Sequence, residues 1–499
     1  MSSPPAPGAA TPSLQRATVR ASVWTIITGL GTRFLGVIGT LVLTRFVLPY
    51  DYGVFSAAAV VASTANQLST LNVGTYILAH PRSGRDVMFH ATLLHILPGL
   101  VALALVVSFG WRLGALFDAP TLGKYLPGMV ISVVIDRALY MPERVLVRTM
   151  RFGQVSVSRA LGELTFTGVS IVTAQLGWGG FALVAGNIAR SAMRFVIVAI
   201  LYVNWRDWVE VTRVRWSILR DMVRFGVPVA VGSLAGFGVR RWDNLLVSRF
   251  FGPAVLGNYN LAYNLADIPA VQVGEQISDV LQAAFSQIEH GDSSKALLRS
   301  LSILSFIMTP MAVGLGCVAP ALSEAFFTKS WAGIGSMLMA LAAISFTRPI
   351  GNTVGAYLQV RRHPRLAAAV DVFTLALLMA TLWTLGRISP LWACISVGIV
   401  FAVRLLACAA VLKKVEGISP ATFLGPLLPP VLAALPMIAA TYGVYRGLSA
   451  LHAPPVVVLV AQVVVGALGY FVGAKIVARP QLDGLLALVR SSLRREKTA

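Results

Sequence analysis

Fourteen apolar stretches, each near the roughly 20 residues that a helix needs to cross a hydrocarbon layer, fill most of this 499-residue chain. They lie at 22–44, 53–79, 88–110, 125–147, 156–177, 179–203, 225–250, 254–285, 297–320, 331–358, 366–386, 389–412, 421–446 and 454–478. Inside lipid every backbone N–H and C=O must be paired within the protein, so stretches of this length become helices. The prediction is an all-α integral membrane protein. Composition agrees, since 56% hydrophobic and 12% charged residues do not describe soluble domains. The first stretch is too long for a signal peptide's apolar region and no small-residue cleavage site follows it, so it is expected to remain as a span.

The chain carries a net charge of +21, which in a soluble protein would suggest nucleic acid. Here the charge is dispersed over short connections, so no nucleic-acid partner is expected. Every second connection is basic: Arg16 and Arg20, Arg82 and Arg85, Arg144 to Arg151, Arg206 to Arg224, Lys295 and Arg299, Arg361 to Arg365, and Lys413 with Lys414. The intervening ones hold only Arg45, Arg112, Lys124, Arg249, Lys329, Arg387 and Arg446. That asymmetry, about threefold, predicts both termini in the cytoplasm by the positive-inside rule.

The stretch RFVLPYDYGVF from Arg45 recurs as RFFGPAVLGNY from Arg249. At one constant offset Arg45 meets Arg249, Pro49 meets Pro253, Gly53 meets Gly257 and Phe55 meets Tyr259. Each copy sits between two apolar stretches, at the turn of a helical hairpin. The chain therefore reads as a duplication with six spans per half, which makes the repeats parallel. The expected organisation is a disordered N-terminus (1–21), a first six-helix lobe (22–203), an amphipathic surface linker (204–224), a second lobe (225–412), two further spans (413–478) and a basic tail (479–499).

Charges within spans are expensive, about 2.5 kcal/mol or more at mid-membrane, and mark function or internal pairing. Nine arginines qualify. Arg159 is expected to pair with Glu163 and Arg137 with Asp136, while Arg348 and Arg404 are expected to snorkel. Arg190 and Arg194 carry no local explanation. Arg33, Arg240 and Arg241 lie on the helices that open the two repeats, and make a candidate anion site; a structural Arg240–Asp243 pair stays open as an alternative. Asn244 stands beside Asp243. The next helix carries Asn260, Asn264 and Asp267 along one side, a stripe expected to line a cavity and a candidate for ion coupling. Pro269 is expected to kink that helix.

No phosphate-binding loop, HExxH motif or long extramembrane segment occurs, and the six histidines share no ligand spacing. No enzyme, metal site or cofactor is expected, beyond coupling to H+ or Na+. Cys317, Cys394 and Cys408 all fall in apolar stretches and read as core residues.

With two six-helix repeats, the paired RFxxPxxxG hairpins, two extra helices and the stretch PERVLVRTMRFGQVSVSRALGE from Pro142, the chain resembles the multidrug/oligosaccharide-lipid/polysaccharide exporter superfamily. It is most similar to the polysaccharide transporters, the Wzx-like flippases. The resemblance implies two lobes flanking a central cavity, alternating access, residence in the bacterial inner membrane, and a polyprenyl-pyrophosphate-linked oligosaccharide as substrate for exopolysaccharide, O-antigen or capsule assembly. Membrane lipids, a polysaccharide polymerase and a chain-length regulator are the implied partners. Pyrophosphate suits guanidinium groups, which bind it by charge-assisted, bidentate hydrogen bonds. Two rivals stay open: a cation or drug antiporter of the same fold using Asp243 and Asp267, and a non-transporting scaffold of a polysaccharide assembly complex.

Overall fold

The computed structural model describes residues 36, 38–80, 84–275, 277 and 293–484. Residues 1–21, predicted disordered, and most of the basic tail lie outside this range. In chain order the long helices are α1 (Pro49–Leu68), α2 (Arg85–Ser108), α3 (Leu122–Arg148), α4 (Phe152–Gln175), α5 (Phe181–Phe195), α6 (Trp216–Pro269), α7 (Ser293–Phe326), α8 (Ile344–Val360), α9 (Pro364–Thr381), α10 (Pro390–Glu416), α11 (Leu435–Ala450) and α12 (Pro455–Val477). Their ends follow local chemistry. Pro390 opens α10 behind Ser389, whose hydroxyl accepts the Trp392 N–H at 3.2 Å, and Gly417 closes it in the left-handed region at φ 70°.

Among the described residues, nine helical stretches are long and apolar enough to cross a membrane. One of them, α6, has 54 residues. A straight helix of that length would reach roughly 81 Å, far beyond a hydrocarbon core of about 30 Å. Gly252 divides it, with φ 77° and ψ 176°, a conformation open essentially to glycine alone. The seventh and eighth spans are the two halves of α6. The more polar α1, α3 and α4 fill other expected positions, so thirteen of the fourteen expected spans coincide with helix in the described residues; of the first, 22–44, only residues 36 and 38–44 are described. At Pro269 α6 gives way to a π-helical turn over Ala270–Glu275, as suits a proline that withholds one hydrogen bond.

The chain packs as two compact units. The first comprises Met1–Val47, Val61–Gly114 and Pro120–Ala230. Its core gathers Ile77, Met88, Leu139, Val145 and Met222. Residues 204–224, expected as an amphipathic surface linker, are helical in two pieces. One turn at Trp205–Trp208 is followed by irregular chain, and α6 begins at Trp216. Trp205, Trp208 and Ile218 pack onto the core, which competes with the membrane surface for the same apolar face.

The arginines of this unit pair differently from the sequence expectation. Arg137, 2% exposed, points to Ser69 Oγ at 2.9 Å, to the Asn66 side chain, and to the His95 carbonyl. A Cβ on Gly99 would overlap its guanidinium, so that glycine makes the room. Asp136 instead lies 3.8 Å from Arg194. Neighbours at i and i+1 point about 100° apart on a helix and cannot face each other. Arg159 joins Glu143 at 2.5 Å, Arg194 joins Glu143 at 2.7 Å, and Glu163 lies 3.5 Å from Arg190. Facing helices supply these partners, and an arginine preceding its glutamate at i,i+4 is the weaker order within one helix.

The second unit comprises Leu48–Val60, Ala115–Ala119 and Val231–Ala499. Leu297, Leu304, Met308, Ile350, Tyr357 and Leu412 form its main core, joining α7, α8 and α10. The last two spans pack on α7, where the Tyr470 hydroxyl donates to the Phe306 carbonyl at 2.9 Å.

The start of α1 belongs to this unit because of the repeated motif. A Cβ on Gly53 would collide with the Pro253 carbonyl, and one on Gly257 with the Pro49 carbonyl. The contact is reciprocal, backbone against backbone, with nothing flexible to yield. This explains why proline and glycine recur together. Val at Gly53 or at Gly257 is expected to cost about 1–3 kcal/mol by overpacking, measured as thermal unfolding in detergent. Gly443→Ala, at a helical glycine with open space around it, serves as the control and should stabilise slightly. Glycine-motif variants that melt with the wild type would contradict the contact.

Candidate functional site

The second half of the duplication concentrates polar side chains on the two halves of α6. Asp243 is fully buried; its Oδ2 accepts the Tyr259 hydroxyl at 2.6 Å and its Oδ1 accepts the Asn244 backbone N–H at 2.9 Å. Asn260 Nδ2 donates to Asn244 Oδ1 at 2.7 Å, and Asn264 Nδ2 donates to Asn260 Oδ1 at 2.9 Å. Asn264 also lies within hydrogen-bonding reach of the Tyr52 hydroxyl, which comes from the repeated motif at the start of α1. The chain of bonds runs from a buried carboxylate to an exposed amide. A buried charge needs such partners, because leaving it unpaired costs several kcal/mol.

The stripe expected to line a cavity therefore divides. Asp243, Asn244 and Asn260 are buried and tie the halves of α6 together, while Asn264 is exposed and Asp267 half-buried. Asp267 is ion-paired with Arg348 of α8, which is 5% exposed. Arg348 was expected to snorkel. It turns inward because a carboxylate awaits it, which the sequence could not reveal across 81 residues.

Arg240 and Arg241 are both exposed, and as neighbours on a helix they face different ways. Arg240 lines a cavity of about 230 Å³ formed with α8, α9 and α10. The other charged residues of its wall are Asp371 and Arg404, joined at 2.8 Å. Asn352 and Gln359 add amide groups. Two guanidiniums against one carboxylate leave the cavity positive. Arg241 lies on the side of Tyr52, Asp243 and Tyr263. Arg33 falls outside the described residues. Asp243, the alternative partner left open for Arg240, is satisfied by Tyr259 and Asn244.

Sequence reasoning passed over Tyr52, Tyr259 and Asp371. Asp371 carried a usable signal, a carboxylate in the middle of an apolar stretch. Tyr259 stood in the repeated motif but opposite a phenylalanine, which hid its hydroxyl's role. Arg45 and Arg249 of the motif are both exposed. Among the described residues no three His, Cys, Asp or Glu side chains gather as metal ligands.

Chemically, the carboxylates on this face are already satisfied, by Tyr259 at Asp243, by Arg348 at Asp267 and by Arg404 at Asp371. The exposed charges on the first half of α6 nearest them are guanidiniums. The arrangement suits an anion.

A family model described as a polysaccharide biosynthesis protein matches residues 42–336, more than half of the chain. The lipopolysaccharide biosynthesis protein WzxC of Escherichia coli is 23% identical over 444 residues, covering 86% of this chain and 88% of its own. The succinoglycan biosynthesis transport protein ExoT of Rhizobium meliloti is 25% identical over 340 residues, covering 66% and 67%. Among solved structures, the lipid II flippase MurJ in an inward closed conformation superposes with a TM-score of 0.75 at 15% identity, over 92% of this chain and 100% of the other. At that identity the likeness is one of fold.

Proposed function

Because the chain belongs to the polysaccharide biosynthesis protein family, we propose that it flips a polyprenyl-pyrophosphate-linked oligosaccharide across the bacterial inner membrane by alternating access. The resemblance to the multidrug/oligosaccharide-lipid/polysaccharide exporter superfamily is borne out, and the protein is a multi-pass membrane transporter, not an enzyme. One observation carries the choice of an anionic substrate: Arg240 and Arg241 are exposed, while the carboxylates near them are buried or paired. A carrier of cations would need accessible carboxylates, and an internally paired Asp267 has no net charge to offer. Arg33, Arg240 and Arg241 are the groups we assign to the pyrophosphate. The oligosaccharide delivered to the far leaflet would feed a polymerase and its chain-length regulator, our candidate protein partners. Deleting the gene should stop surface polymer and leave lipid-linked repeat units accumulating in the cytoplasmic leaflet. Normal polymer without the protein would overturn the assignment.

Both termini are cytoplasmic in this reading, since the basic connections alternate so consistently. Reporter fusions at Gly123, Gly291 and the C-terminus are expected to report outside, inside and inside. A periplasmic C-terminus would refute the topology.

A further inference from the structure

We propose that a groove of the first unit, between α2 around Pro98 and the start of α6, holds an anionic phospholipid. None of its residues belongs to the polar network described above. The groove has a volume of about 660 Å³ and walls that are almost wholly carbon. Leu93, Leu94 and Leu97 supply one side; Leu219 and Val223 supply the other. Pro98 lies inside α2 and has no N–H to return to the Leu94 carbonyl, and both residues line the groove. Leu97 is 54% exposed, so the groove is open to the surroundings.

Its rim points to a charged headgroup. Arg220 and Arg224 stand one turn apart, both exposed, and neither forms an ion pair among the described residues. Asp221, the carboxylate between them in sequence, is not part of the groove wall. Trp216 at the end of the groove is 79% exposed, the kind of aromatic found where headgroups begin. The segment before it is anchored: Arg215 N donates to His90 Nε2 at 2.8 Å, and the Arg215 guanidinium is ion-paired with Asp86. A floor of leucine with two exposed guanidiniums at its mouth matches an acyl chain below a phosphate that keeps a net negative charge. Over the eight helical steps from Trp216 to Arg224 the groove runs roughly 12 Å, the upper part of an acyl chain and far short of a polyprenyl chain.

The test uses the full-length protein, purified, stripped of lipid and titrated by native mass spectrometry. The probes are palmitoyl-oleoyl phosphatidylglycerol, phosphatidylcholine of the same chains, and undecaprenyl phosphate. Wild type is expected to retain phosphatidylglycerol about tenfold better than phosphatidylcholine. Arg220→Gln with Arg224→Gln, both at exposed positions, should remove that preference. Leu97→Trp should lower retention of both phospholipids by filling the groove. An unchanged preference in the double variant, or preferential retention of undecaprenyl phosphate that Leu97→Trp abolishes, would overturn the assignment. Because the readout is lipid binding, it stands or falls apart from any flipping activity.

Discussion

Asp267→Ala is expected to destabilise the protein by about 3–5 kcal/mol, because it removes the carboxylate that neutralises the buried Arg348 guanidinium. Arg348 is 5% exposed and ion-paired with Asp267. Replacing both residues, Asp267→Leu with Arg348→Met, should restore most of the loss, since well-packed apolar groups substitute for a buried pair at little cost. Thermal unfolding in detergent reads the cycle, and single and double variants that melt together would refute the pairing. Polymer export in the double variant then decides what the pair is for. If export returns with stability, the pair is structural. If the fold is restored and export is not, Asp267 takes part in coupling, as a carboxylate beside the Pro269 break in α6 is placed to do.

The second large effect concerns the exposed guanidiniums. Arg240→Ala with Arg241→Ala should abolish export while leaving insertion intact, because removing charge from a span lowers its insertion cost. Each charge-assisted hydrogen bond lost is worth about 1.5–3 kcal/mol, so binding of a polyprenyl pyrophosphate should weaken roughly 100-fold or more. Arg33→Ala is expected to act in the same direction. Lysine should rescue only in part, keeping the charge and losing the planar fork. Arg404→Met gives the contrast: Arg404 is 8% exposed and joined to Asp371 at 2.8 Å, so its loss should cost stability before it costs binding. Full binding and export in the Arg33, Arg240 and Arg241 variants would make those arginines structural.

The elements were legible because lipid leaves a chain few choices. Apolar length announced the spans, and the doubled RFxxPxxxG motif marked the two hairpins and their equivalence. The motif's physical purpose was not legible. Gly53 and Gly257 are required because two backbones touch there, a contact across 204 positions that spacing along one helix does not encode. Partner choice among the charges failed for the same reason. Arg137, Arg159 and Arg348 were assigned neighbours in sequence or a route to the surface, and each found its partner on another helix. Polar residues at helical spacing were grouped as a stripe, yet burial divides it, Asp243 inward and Asn264 outward. Spacing gives the face of a helix; only packing tells whether that face meets protein or open space.

The most direct measurement is flipping by the purified protein. In proteoliposomes containing a polyprenyl-pyrophosphate-linked oligosaccharide with a fluorescent sugar, a membrane-impermeant quencher reads which leaflet holds the label. Wild type should move label between leaflets until the quenchable fraction plateaus, and vesicles carrying Arg240→Ala with Arg241→Ala should stay at the protein-free level. Wild-type vesicles that match protein-free ones, or transfer that persists undiminished without the arginines, would contradict the account.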